Sequence, residues 1–203
     1  MSAETTVVQL HDGSLYDYLR PSLAALTLAN ITVQLSRLPR FVGATGEVYT
    51  VGQHSVLCSE LLKADPVLAR YGLLHDAHEI VMNDISRPLK NTVREVCRRF
   101  NIGLNPLNFV NEKARLAVAA KFNLSREVPA LVRLADQHLV ALEREQLMFR
   151  TAELDERWST VVGRVEGFPD IEIKPWDETT TRKRFWQLCQ VFYPRQTGGG
   201  SVP

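Results

Sequence analysis

The chain has 203 residues, 45% hydrophobic and 23% charged, close to the globular average, which excludes a disordered, collagen-like or disulfide-dense protein. At about 150 residues per domain, this length supports one domain with a single sizeable core. Its 24 Lys and Arg against 23 Asp and Glu give a formal net charge of +1, so bulk charge recruits neither a nucleic-acid polymer nor a membrane surface, and an anionic ligand needs a local site.

In chain order, Leu23, Leu26, Leu28 and Ile31, continuing through Val33 and Leu35, predict one or two helices over 22–37, ending near Pro39. Phe41 to Val51 reads as a loop. Val51-Gly-Gln-His-Ser opens a helix with Val56, Leu57, Leu61 and Leu62 on its apolar positions, and Asp65-Pro66 stops it, Asp65 capping the next. Val67 to Ile85 predicts one long, largely buried helix, which Arg87-Pro88 ends or bends. Further helices are expected over Asn91 to Phe100, Leu107 to Lys121, Pro129 to Arg150 and 178–193. Strand-like alternation is confined to two short stretches, Gly46 to Val51 and Ile171 to Lys174, both short enough to be extended loops. The predicted fold class is therefore all-α, with 1–195 as a single domain and 196–203, which holds Gly198-Gly-Gly-Ser, as a mobile tail.

Cys58, Cys97 and Cys189 are odd in number and widely spaced, so they read as packing residues of a protein in a reducing compartment. The amino terminus has neither a basic start nor an apolar signal core, and no stretch approaches the ~18 apolar residues of a membrane span, so a cytoplasmic protein is expected.

The informative polar residues lie inside apolar helices. His75 and Asp76 sit within Tyr71-Gly-Leu-Leu-His-Asp-Ala-His-Glu-Ile-Val, where an unpaired carboxylate would be costly. His54 opens one helix and Asp136 lies in another, Leu131-Val-Arg-Leu-Ala-Asp-Gln-His-Leu. Each histidine alone is more often an ordinary core residue. The joint order His, His-Asp, Asp on separate helices instead favours a convergent set of two imidazoles and two carboxylates, suited to Zn, Mn, Co or Fe with positions left open.

That order resembles the HD-domain phosphohydrolase superfamily, a helical bundle with a metal site between helices. The chain is most similar to its 5′-deoxynucleotidase-like branch, which includes phage deoxyadenosine triphosphate hydrolases. The similarity runs through Leu35-Ser-Arg-Leu-Pro-Arg-Phe-Val-Gly, Tyr49-Thr-Val-Gly-Gln-His-Ser-Val, Leu73-Leu-His-Asp-Ala-His-Glu and Asn83-Asp-Ile-Ser-Arg-Pro-Leu-Lys, is completed by Asp136, and weakens after residue 150.

The resemblance implies that His54, His75, Asp76 and Asp136 bind one divalent metal ion (Zn, Co, Mn or Mg), which polarises a phosphoryl oxygen and lowers the pKa of the attacking water. Glu79 and Asp84 are then the carboxylates that orient water or shuttle a proton. Read without the resemblance, Glu79 is a solvated helix charge and Asp84 caps a turn. Arg40, Arg87 and Lys90 are candidate phosphate ligands, Arg40 also for catalysis. Phe41 is a candidate base-stacking residue or a loop aromatic folded on the core, and Val42 and Gly43 are candidates for pressing on the base edge. His78 stands where relatives carry a small residue, as a second-metal ligand or an extra proton carrier.

The implied substrate is a small deoxynucleotide, from which phosphate is released if it is a monophosphate and triphosphate if it is a triphosphate. The alternative is a catalytically inactive nucleotide-binding regulatory protein. A homo-oligomer is also expected, with the closing helix as contact face through Phe185, Val191 and Phe192, or with those residues packed within the chain.

Overall fold

A computed structural model describes residues 5–160, 162–198 and 200–203. The fold is all-α apart from one antiparallel hairpin, β1 (Val7–Gln9) and β2 (Leu15–Asp17), in which Val8 faces Tyr16. The sequence reading assigned no element there, because three-residue strands are too short to display an alternation.

Of the two β candidates that were short enough to be extended loops, neither forms a strand. In 46–51 the backbone makes isolated bridges only, Thr45 with Met148 and Thr50 with Pro39. In 171–174 the backbone bonds that would build a ladder go to side chains: Gln146 Nε2 donates to the Ile171 carbonyl, Ile173 N donates to Gln146 Oε1, and Gln53 Nε2 donates to the Lys174 carbonyl.

The first helix, α1 (Leu28–Leu35), is shorter than 22–37 and starts where Thr27 accepts from the Asn30 amide. Helix α2 (Val51–Leu61) is capped by Thr50 and buries every residue from Val51 to Ser59. A helix buried all round lies inside the bundle, and α2 packs against α1, α3 (Pro66–Leu74), α7 (Ala130–Leu147) and α9 (Glu178–Phe192). Asp65 caps α3 as expected, accepting from the amides of Val67 and Leu68.

The single helix expected over 67–85 is instead broken. Helix α3 ends at Leu74, α4 spans only Glu79–Met82, and residues 75–78 turn between them. The turn is held by i to i−3 bonds, Ala77 N to Leu74 O and Glu79 N to Asp76 O. His75 Nδ1 lies 2.7 Å from the Gly72 carbonyl, the acceptor that a continuing α-helix would offer to the Asp76 amide. Apolar periodicity carries through the break because both helices face the same core.

Helices α5 (Arg87–Arg99) and α6 (Pro106–Phe122) follow, each with a proline in its first turn. Helix α8 (Ala152–Ser159) was not expected, and α10 (Pro194–Thr197) is a single turn. In the segment expected as a tail, Thr197 is buried and the Gly200 carbonyl accepts from Trp186 Nε1. The contact face expected on the closing helix is largely internal: Phe185 has no exposure and packs in the core with Trp186 and Cys189, Phe192 is half-buried, and Val191 alone points outward. All three cysteines are buried and free. Among the described residues, no helix is long and apolar enough to cross a membrane.

Candidate metal centre

His54 lies in the first turn of α2 with no exposure. Its Nδ1 is 2.6 Å from Glu143 Oε1, and Glu143, on α7, is equally buried and accepts from the Tyr49 hydroxyl at 2.7 Å. The guanidinium of Arg40 and the His54 ring hold the Glu143 carboxyl below its ordinary range, against its burial, so it is an acceptor and His54 Nδ1 carries the proton. His75 is fixed in the same tautomer, because a carbonyl such as that of Gly72 can only accept. Both rings therefore turn Nε2 inward, the atom an ion would take once it carries no proton, and the two Nε2 atoms lie 3.3 Å apart.

Two carboxylates join them. Asp76 Oδ2 is 3.1 Å from His75 Nε2 and 3.8 Å from His54 Nε2, while Asp136 Oδ1, from α7, is 3.2 Å from His54 Nε2. The ligand atoms of His54, His75 and Asp76 all lie within 4.8 Å of one another. Two imidazole Nε2 atoms and two carboxylate oxygens meet here, and the buried carboxylates call for positive charge at the centre, which a proton on Nε2 or a bound cation supplies. These three residues could hold a metal ion, and Asp136 reaches the same group through His54. Glu143 and the Gly72 carbonyl each hold the Nδ1 side of an imidazole, which fixes the tautomer and aims Nε2 inward.

The charges packed around the cluster make the same demand. Burial and the Arg40 charge push His54 down, but Glu143 and Asp136 outweigh them and raise it to about 9. His75 is raised too, burial being overcome chiefly by Asp76. Asp76 is held well below the carboxylate range although burial opposes it, by His75, His54 and Arg40.

Arg40 is buried, with Nε 3.3 Å from Glu143 Oε2 and Nη1 3.5 Å from Asp76 Oδ2. It ties Asp76, a candidate metal ligand, to the residue that orients His54, a role the sequence did not disclose. The three residues after it, Phe41, Val42 and Gly43, have φ of +53°, +57° and +75°. A β-branched valine in the left-handed region is a genuine outlier, and such backbone persists only where its surroundings hold it. Here the Phe41 amide donates to Asp84 Oδ2 at 3.2 Å, and the Gly43 amide closes the turn on the Arg40 carbonyl.

Beside the cluster opens a cavity of about 630 Å³. Asp76, Glu79, Asp84 and Asp136 line it, as do the cations Arg40, Arg87 and Lys90 and the strap residues Phe41 and Val42. Gly43 is not part of the wall. Glu79 is buried rather than solvated, its Oε2 has no hydrogen-bond partner among the described residues, and burial with the charges of Asp76 and Asp84 raises its pKa well above the carboxylate range. His78 stands outside the ligand group, and burial pushes it down to about 4. His138 is structural, donating from Nε2 to the Pro169 carbonyl and accepting the Val165 amide on Nδ1.

Glu143, Tyr49 and, from α8, Trp158 were not singled out from sequence. Glu143 had a signal: it follows Asp136 by seven residues, two helical turns, and so shares its face of α7. Trp158 had none, lying where no motif was recognised.

No family model matches the chain. It is similar to the uncharacterized protein YfdR of Escherichia coli, 29% identical over 140 residues, covering 69% of this chain and 71% of that one. Its similarity to the uncharacterized protein RCAP_rcc00048 of Rhodobacter capsulatus is 30% identity over 170 residues, 78% of each chain. Over that extent the relation is one of common descent and fold, and the chain belongs to the same family as RCAP_rcc00048.

Proposed function

We propose that this chain is a divalent-metal-dependent phosphohydrolase of the HD-domain type acting on deoxynucleotides, removing phosphate from a monophosphate or triphosphate from a triphosphate. The observation that carries the reading is the convergence of His54, His75, Asp76 and Asp136 at the edge of a cavity also lined by Glu79, Asp84, Arg87 and Lys90.

An ion held by these four residues would supply positive charge against a phosphoryl oxygen and make a water more acidic. The protein supplies the rest. Glu143 and the Gly72 carbonyl keep both imidazoles in the tautomer that presents Nε2. Arg87 and Lys90 attract phosphate charge to the cavity. Glu79, protonated through burial between Asp76 and Asp84, holds a proton that can be delivered to a leaving oxygen. Asp84 positions the strap through the Phe41 amide, placing Phe41 and Val42 against the substrate's base.

The test is release of phosphate, pyrophosphate or triphosphate across deoxynucleoside mono-, di- and triphosphates with Mn, Co, Mg and Zn. Asp76→Asn and His75→Ala should lose bound metal and turnover together. Full turnover in either variant, or in protein stripped by a chelator, would sink the reading. Nucleotide binding without turnover under any of the metals would favour a regulatory protein instead.

A further inference from the structure

Two aromatic rings from distant segments meet in the cavity wall: Phe41 from the left-handed strap and Trp158 from α8. Their centroids are 6.3 Å apart and their planes cross at 72°. Edge-to-face contact is an ordinary packing geometry and does not itself indicate a ligand. The backing of the rings is less ordinary. The Arg40 guanidinium carbon lies 5.4 Å from the Phe41 centroid, and that of Arg144 lies 5.6 Å from the Trp158 centroid. Both arginines are buried, 7% and 5% exposed.

Arg144 Nη2 donates to Asp155 Oδ1 at 2.9 Å, on the same helix as Trp158. Its Nε and Nη1 are buried with no hydrogen-bond partner among the described residues, a costly arrangement for a residue that merely fills space. A guanidinium thus lies against each ring, while both rings still contribute surface to the cavity that holds the acidic cluster and Lys90.

We infer that Trp158 and Phe41 form a right-angled aromatic corner that seats a planar nucleobase, with Trp158 as a specificity-determining residue contributed by α8. The ligand class rests on the nucleotide reading above. A base stacked on one ring meets the edge of the other, and because every base has a π-face, the corner selects heteroaromatic over aliphatic esters while leaving the choice among bases to its rim, where Val42 stands.

The test is equilibrium binding of deoxyadenosine, which lacks a phosphate, and of inorganic phosphate, which lacks a base, to the metal-loaded full chain. In W158A, deoxyadenosine should bind about tenfold more weakly than to the unmodified protein, with phosphate binding changed much less, and W158F should restore most of the loss. Should W158A fail to fold by thermal melting, W158L makes the same comparison.

Equal weakening of both probes, no weakening of deoxyadenosine, or no deoxyadenosine binding by the unmodified protein would overturn the inference. Neither probe can be turned over. A chain that hydrolyses no deoxynucleotide would therefore defeat the phosphohydrolase reading while this comparison still decides the aromatic corner.

Discussion

Replacing Glu143 with Gln tests whether the imidazole orientation described here governs metal binding. Oε1 of Glu143 accepts from both His54 Nδ1 and Tyr49, and Oε2 faces Arg40 Nε. Glutamine can copy only half of this. With its oxygen toward His54, its amide group confronts the Arg40 N–H. With the amide toward His54, it opposes the Nδ1 proton and drives the ring to the tautomer that closes Nε2 to a metal.

Loss of the group that hydrogen-bonds the far nitrogen of a metal-binding His typically weakens the metal 10- to 100-fold, about 1.4 to 2.7 kcal/mol. At saturating metal that is the stabilisation withdrawn from the holoprotein, and at roughly 2 to 4 °C per kcal/mol for a chain of this size it shortens the metal-induced rise in Tm by roughly 3 to 10 °C.

The assay is thermal melting of chelator-stripped protein with and without added Mn or Zn, for the unmodified chain, E143Q and Y49F. Tyr49→Phe removes a single hydrogen bond to the same carboxylate, about 0.5 to 1.5 kcal/mol, and should lower both melting curves alike. E143Q should shrink the gap between them. An unchanged gap in E143Q would refute the claim that Glu143 orients a metal ligand.

Metal binding should release protons. His54 is raised from 6.5 to about 9, so in the metal-free protein its contribution to stability is complete below pH 6.5 and lost as pH rises through about 9; an ion must displace that proton. Calorimetry in buffers of different ionisation enthalpy should show about one proton or more released per ion at pH 7 and the release fading above pH 10. Pairing at pH 7 with no proton released would contradict the charge state assigned to the cluster.

Gly52→Ala should cost about 1 to 3 kcal/mol in urea unfolding, because a Cβ there would stand 3.0 Å from the Leu35 backbone and from Thr181, and α2 would have to shift with His54 on it. A neutral G52A would show that α1 and α2 have slack. Val42→Asn should raise stability by about 1 kcal/mol, since asparagine tolerates the left-handed region far better than a β-branched residue. A lower denaturation midpoint would show that Val42 is held by packing rather than strained.

The residues alone reveal the helical class, the cap at Asp65, the burial of the three cysteines, and the candidacy of His54, His75, Asp76 and Asp136. Each of these is a local property. Apolar spacing marks which face of a helix is buried, and a polar residue in an apolar run announces a partner without naming it. What required the tertiary structure was partnership and direction.

The break at 75–78 is invisible to periodicity because α3 and α4 face one core, and it arises when His75 takes a carbonyl that the helix would otherwise use. Which imidazole nitrogen is free depends on Glu143, 89 positions along the chain from His54. Arg40 read as a phosphate ligand because its charge is local information, whereas its engagement with Asp76 and Glu143 is decided by how α2, α3 and α7 pack. Phe185 read equally well as a subunit contact or as core, since an apolar face records that it must be covered but not by what.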